Sequence, residues 1–192
     1  MGPSGPTARR SACGRTPPSF TSTSGTPCNP RGDLGGAVAA YREAIRLAPG
    51  EPAYRHDLGL ALAAKGNLDA AIAAFGEASR IRPDSPAYRR SLALTLMQAG
   101  RTDAAIDAYR ALVRLSPRAA ESHYDLAGAL VVAGRVDDAI PSYREALRLR
   151  PEFPEALCNL GRALLMKGSY AESLECFRRG HELVNRQSSI DG

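Results

Sequence analysis

The sequence predicts an all-α chain, a stack of antiparallel helix pairs repeating every 34 residues. Pro49, Pro83, Pro117 and Pro151 keep that spacing, as do Gly32, Gly66, Gly100, Gly134 and Gly168. So do the aromatics Tyr41, Phe75, Tyr109, Tyr143 and Phe177. Leu58, Leu92, Leu126 and Leu160 form a fourth series, and Leu62, Leu96, Leu130 and Leu164 a fifth. Chance does not align five such series, and a fixed period of this length marks a repeat array.

The elements follow in chain order. Residues 1–32 are dense in Pro, Gly, Ser and Thr, show no apolar period and read as a disordered tail. Scattered arginines without acids suit a transit peptide, the helix breakers argue against one, and a misread start codon is equally open. Residues 33–51 supply only a second helix, a half repeat, and four full units span 52–85, 86–119, 120–153 and 154–187. In the unit 86–119, Ser85 is the expected N-cap and Pro86 the first helical residue, where a missing N–H costs nothing. Gly100 suits the left-handed exit of that helix. A second helix is expected to start at a Thr102 cap with Asp103 in its first turn, and to stop before Pro117. Pro141 is expected to loosen the first turn of its helix. Each helix pair has an apolar face that only a neighbour can cover. The short tail 188–192 adds no covering helix, which fits a fragment of a longer array or ends used in self-association.

Bulk properties narrow the function classes. The chain has 192 residues and a net charge of +5. Residues 1–32 carry four of the arginines and no acid, so the repeats are close to neutral. They lack the one-sided basic footprint that nucleic-acid binding needs, and no nucleic-acid partner is expected. No apolar run approaches the roughly 18 residues of a membrane span, and no secretory signal is visible. A soluble, cytoplasmic chain without membrane partners is expected. Cys13, Cys28, Cys158 and Cys176 form no metal-ligand spacing. His56, His123 and His181 sit in no nucleophile or metal motif. The expectation is therefore no enzyme, no catalytic residue, no metal and no cofactor.

These residues resemble the tetratricopeptide repeat (TPR) family. The small residue of the first helix matches at Gly59, Ala93, Ala127 and Gly161, and that of the second at Ala37, Ala71, Ala105 and Ala139. A later alanine matches at Ala44, Ala78 and Ala146. Departures occur where the usual first-helix aromatic gives way to Arg55, Arg89, His123 and Leu157, and at Leu112, Ser173, Gly180 and Asn185. The stretch FRRGHELVNR is similar to the final repeat of arrays fused to some bacterial serine/threonine kinases.

The resemblance implies a right-handed superhelical solenoid whose first helices line a concave groove for a protein or peptide partner. It places His56, Asp57 and Leu60 of the first full unit in that groove, then Arg90, Ser91, Leu94, Met97 and Gln98. Glu121, Tyr124, Asp125 and Val131 follow, then Asn159, Arg162 and Leu165. Leu94, Met97, Val131 and Leu165 are the expected apolar floor, with Arg90 and Tyr124 the expected polar anchors. The asparagine ladder of the family's sugar-transferase arrays is matched in type only at Asn159, in the column Asp57, Ser91, Asp125 and Asn159. The basic clamp of its chaperone-binding branch is absent at His56, Leu60, Ser91, Glu121 and Asp125. The expected function is a protein-interaction scaffold. The alternative is a regulatory or substrate-recruiting arm of a larger kinase or glycosyltransferase.

Overall fold

A computed structural model describes residues 33–188, and the expected tail at 1–32 lies outside the described residues. Within them the chain forms nine helices and no strand: α1 (Leu34–Leu47), α2 (Pro52–Ala64), α3 (Leu68–Ile81), α4 (Pro86–Gln98), α5 (Thr102–Leu115), α6 (Ala120–Val132), α7 (Val136–Leu149), α8 (Pro154–Met166) and α9 (Tyr170–Ser188). Each helix packs on the next, pairing α2 with α3, α4 with α5, α6 with α7 and α8 with α9, while α1 precedes them unpaired.

The turns inside the pairs are set by glycine. Gly66, Gly100, Gly134 and Gly168 hold φ between 71° and 81°, a left-handed conformation that other residues adopt only with strain. Prolines open α2, α4 and α8, where the first N–H has no helical partner. Two capping expectations need correction. Ser85 stands at the N-cap of α4 but its side chain makes no capping hydrogen bond. Thr102 is the first residue of α5, and Arg101 occupies the N-cap position. Pro141 is exposed, and α7 runs through it without a break.

Packing follows the sequence columns. Tyr41, Phe75, Tyr109 and Tyr143 are each 3% exposed or less, and Ala71, Ala105 and Ala139 are fully buried. The ring of Phe75 lies so close to Gly59 that a methyl there would sit 2.6 Å from it. Phe177 fills the same place over Gly161, at 2.9 Å. Ser173, a departure from the small-residue pattern, is accommodated because its hydroxyl donates to the Gly161 carbonyl at 2.8 Å.

The departures at the first-helix aromatic have a structural role. Arg55 donates to the Pro49 carbonyl, Arg89 to that of Pro83 at 3.0 Å, and His123 Nε2 lies 3.0 Å from that of Pro117. In three successive units a donor therefore satisfies the proline carbonyl six residues earlier, just past the preceding second helix. In the fourth, Leu157 is instead buried to 1% exposure.

Burial also pushes the phenols up, Tyr41 and Tyr143 each to about 12. Tyr109 is raised further by the same cause. An unfolded tyrosine loses its proton near about pH 10, so the unfolded state releases protons first. Stability is then fully present below about pH 10 and lost as pH rises through about 12. Thermal melts by circular dichroism should be flat up to about pH 9.5 and decline above it, with a shallower decline in Tyr143→Phe.

Candidate functional site

The first helices α2, α4, α6 and α8 lie side by side, and hydrogen bonds tie each to the next. His56 Nε2 is 2.9 Å from Ser91 Oγ, and Arg90 Nε donates to Asp125 Oδ2 at 2.7 Å. The Asn159 amide donates to the Tyr124 hydroxyl at 2.9 Å. All three pairs are 35 residues apart, one repeat plus one residue. The face therefore carries a ladder in which one helix position reaches the following position of the next repeat.

The ladder settles where many expected site residues stand. The Asp125 side chain is only 9% exposed, and its contact with Arg90 raises the guanidinium pKa further, chiefly by the hydrogen bond. Tyr124 is half-buried, packs at a tilt with its ring centroid 4.9 Å from that of Phe153, and has its phenol pKa raised mainly by burial. His56 is wedged between Phe75 and Tyr88, at ring separations of 5.3 and 5.0 Å. Arg90 and Tyr124, the expected anchors, are thus occupied with bridging repeats. Glu121 is exposed and ion-paired with Arg150.

The apolar residues divide. Met97 and Val131 are half-buried and pack against the core, while Leu60, Leu94 and Leu165 are 45%, 43% and 49% exposed. Leu60 is the groove leucine that the floor of Leu94, Met97, Val131 and Leu165 left out. Gln98 and Arg162 are exposed, and Asp57 and Asn159 half-buried.

Ser91, His56 and Asp57 supply the residue types of a hydrolase triad. The Asp57 carboxylate, however, is 3.7 Å from His56 Nδ1, beyond hydrogen-bond length. Ser91 also sits within α4, where backbone N–H groups are consumed by the helix and none is left to hold an oxyanion. The contact reads as one rung of the ladder. Among the described residues no His, Cys, Asp and Glu cluster could hold a metal, and Cys158 and Cys176 are free thiols.

Sequence models described as tetratricopeptide repeat match residues 31–94 in one case and residues 90–149 and 124–180 in another, together most of the chain. The chain belongs to the tetratricopeptide repeat family. Solved TPR structures share its fold. A crystal structure of MamA superposes with a TM-score of 0.77 at 24% identity, covering 83% of this chain and 94% of that one. MamA from Desulfovibrio magneticus RS-1 gives 0.75 at 23% identity, covering 82% and 89%. YrrB, described as a TPR protein with an unusual peptide-binding site, gives 0.68 at 19% identity, covering 78% and 77%. No curated protein matches the chain in sequence. The ladder and the exposed leucines Leu60, Leu94 and Leu165 all stand on first helices, the elements expected to line the groove.

Proposed function

We propose that this TPR array is a non-catalytic adaptor that holds an extended segment of a partner protein in its concave groove. The observation that carries this reading is the pair Leu60 and Leu94, large apolar side chains one repeat apart on successive first helices and nearly half exposed, on the face read here as the groove. Leu165 continues the apolar surface two repeats on. Polar groups of the groove are tied to one another between repeats, which makes it a preformed rigid surface; less ordering entropy is then lost on binding. The peptide-binding site named for YrrB, a protein of the same fold, supports a peptide as the ligand class. The reading places the adaptor in a bacterial cytoplasm, without nucleic-acid partners. It holds equally for an arm of a larger enzyme.

Self-association through the array ends also belongs to this reading. Ile106 and Ile140 are 1% and 4% exposed because the next first helix covers them, whereas Leu174, at the same repeat position, is 70% exposed. Among the described residues no helix is long and apolar enough to cross a membrane.

The test is a selection of random peptides on the immobilised full chain, with peptides of about twelve residues, long enough to cross four helices spaced roughly 10 Å apart. Leu60→Gln combined with Leu94→Gln should weaken the selected peptides about tenfold or more. The outward pair Asp107→Ala and Arg144→Ala removes only exposed ion-pair partners and should change affinity less than about twofold. Loss of binding in the outward variant, with none in the groove variant, contradicts the proposal.

A further inference from the structure

Leu60, Leu94, Gly128 and Arg162 occupy one position in four successive first helices. The two leucines fill that position with exposed apolar surface. At Gly128 a methyl group would meet only the Tyr143 hydroxyl, at 3.9 Å, so open space stands where the leucines stand in earlier repeats. Among the described residues the Tyr143 hydroxyl makes no hydrogen bond. Among the described residues the hydroxyls sealed from water without a partner are those of Tyr41 and Ser79. The Tyr143 side chain is core, 2% exposed, but its hydroxyl tip is not fully sealed and borders the gap over Gly128.

Arg162 comes next along the column. It is exposed and enters no ion pair or hydrogen bond among the described residues, unlike Arg90 with Asp125 and Arg150 with Glu121. Its charge reaches Tyr143, lowering a phenol pKa that burial raises. The acids facing this place are accounted for. Asp125 is held by Arg90, Glu121 by Arg150, and Glu155 lies two turns earlier on α8, roughly 10 Å along its axis. The groove thus combines one uncommitted cation, one uncommitted hydroxyl and a vacant residue position beside them.

We infer that the gap over Gly128 receives an aspartate or glutamate side chain of the bound segment, held by the Arg162 guanidinium and the Tyr143 hydroxyl. An inference of this kind rests on the groove being the binding surface. A side chain fits better than a chain terminus because exposed apolar surface continues on both sides, at Leu94 and at Leu165, so the segment runs through. Neighbouring first helices are roughly 10 Å apart, and an extended residue covers about 3.3 Å. The acid therefore stands about three residues from an apolar side chain seated on Leu94, and about six from one on Leu60.

The probe is the same random-peptide library, fused at its C-terminus so that no free carboxylate terminus is displayed, selected on the wild-type full chain and on Arg162→Glu. Arg162 is exposed, and circular dichroism checks that the variant keeps its helices. Wild type should enrich Asp or Glu at a fixed distance from two apolar residues, and Arg162→Glu should replace that preference with Lys or Arg. A synthetic peptide from the wild-type pool should bind Arg162→Glu about tenfold or more weaker, in line with losing a charge-assisted pair. Tyr143→Phe should weaken it several-fold less than that. Peptides that depend on Leu60 and Leu94 but show no acidic preference overturn the carboxylate assignment and leave the groove reading standing. So does a pool whose acidic preference survives Arg162→Glu. Binding that appears only once synthetic peptides carry a free C-terminal carboxylate overturns it in favour of a terminus. A library that enriches nothing on the wild type overturns both readings.

Discussion

Replacing Phe75 with alanine should destabilise the array by about 3–5 kcal/mol, the usual loss for emptying a large aromatic site. The ring is 1% exposed and belongs to the core shared by α1, α2 and α3. A urea melt followed by helical circular dichroism reads the effect. Contacts in a solenoid run only between neighbours, so the loss should also uncouple α1–α3 from the rest and broaden the transition. The complementary change, Gly59→Ala, drives a methyl to within 2.6–2.8 Å of three ring atoms, and should cost about 1–3 kcal/mol. Joined to Phe75→Leu it should cost less than the two single changes together, with a coupling above about 0.5 kcal/mol. Strict additivity would mean that the ring does not rest on Gly59.

Ala105→Leu carries the second large effect. Ala105 is fully buried in the first turn of α5, within the core cluster that includes Ala93 and Leu96 of α4. Three added carbons have no space without moving a helix, so overpacking should cost about 1–3 kcal/mol. Arg101→Ala, four residues earlier, removes an ion pair with Asp69 whose two side chains are 54% and 78% exposed. That change should stay within about 0.5 kcal/mol of neutral. Equal effects from the two changes would contradict the packing of this pair.

How much of this was legible in the sequence depended on whether a feature repeats. Gly100 announced a left-handed helix exit that Gly66, Gly134 and Gly168 copy, whereas the aromatic column was legible only as a period and proved to be core at Tyr41, Phe75, Tyr109 and Tyr143. The ladder escaped notice because its partners stand 35 residues apart with different chemistry on each rung: histidine with serine, arginine with aspartate, tyrosine with asparagine. Complementary residues one position off the period were the available signal. Arg55, Arg89 and His123 were legible only as departures from an aromatic position, since their carbonyl partners are backbone groups that no side-chain pattern marks. Thr102 was assigned a cap because its hydroxyl suits one, yet the helix begins one residue sooner. Arg162 was placed in the groove from the repeat register, but its lack of a partner among the described residues, unlike Arg90, required the structure.

The central claim, that the inner face of the array is the binding surface, is tested most directly by position-specific photo-crosslinking in the full chain. A benzophenone amino acid replaces Leu94 in one variant and Asp107 in another; both positions are exposed, one on a first helix and one on a second. Each variant is irradiated with a peptide selected on the wild type, and the adduct is mapped by mass spectrometry. The groove account predicts an adduct from position 94 and none from position 107. An adduct from position 107 alone would place the partner on the convex face and contradict it.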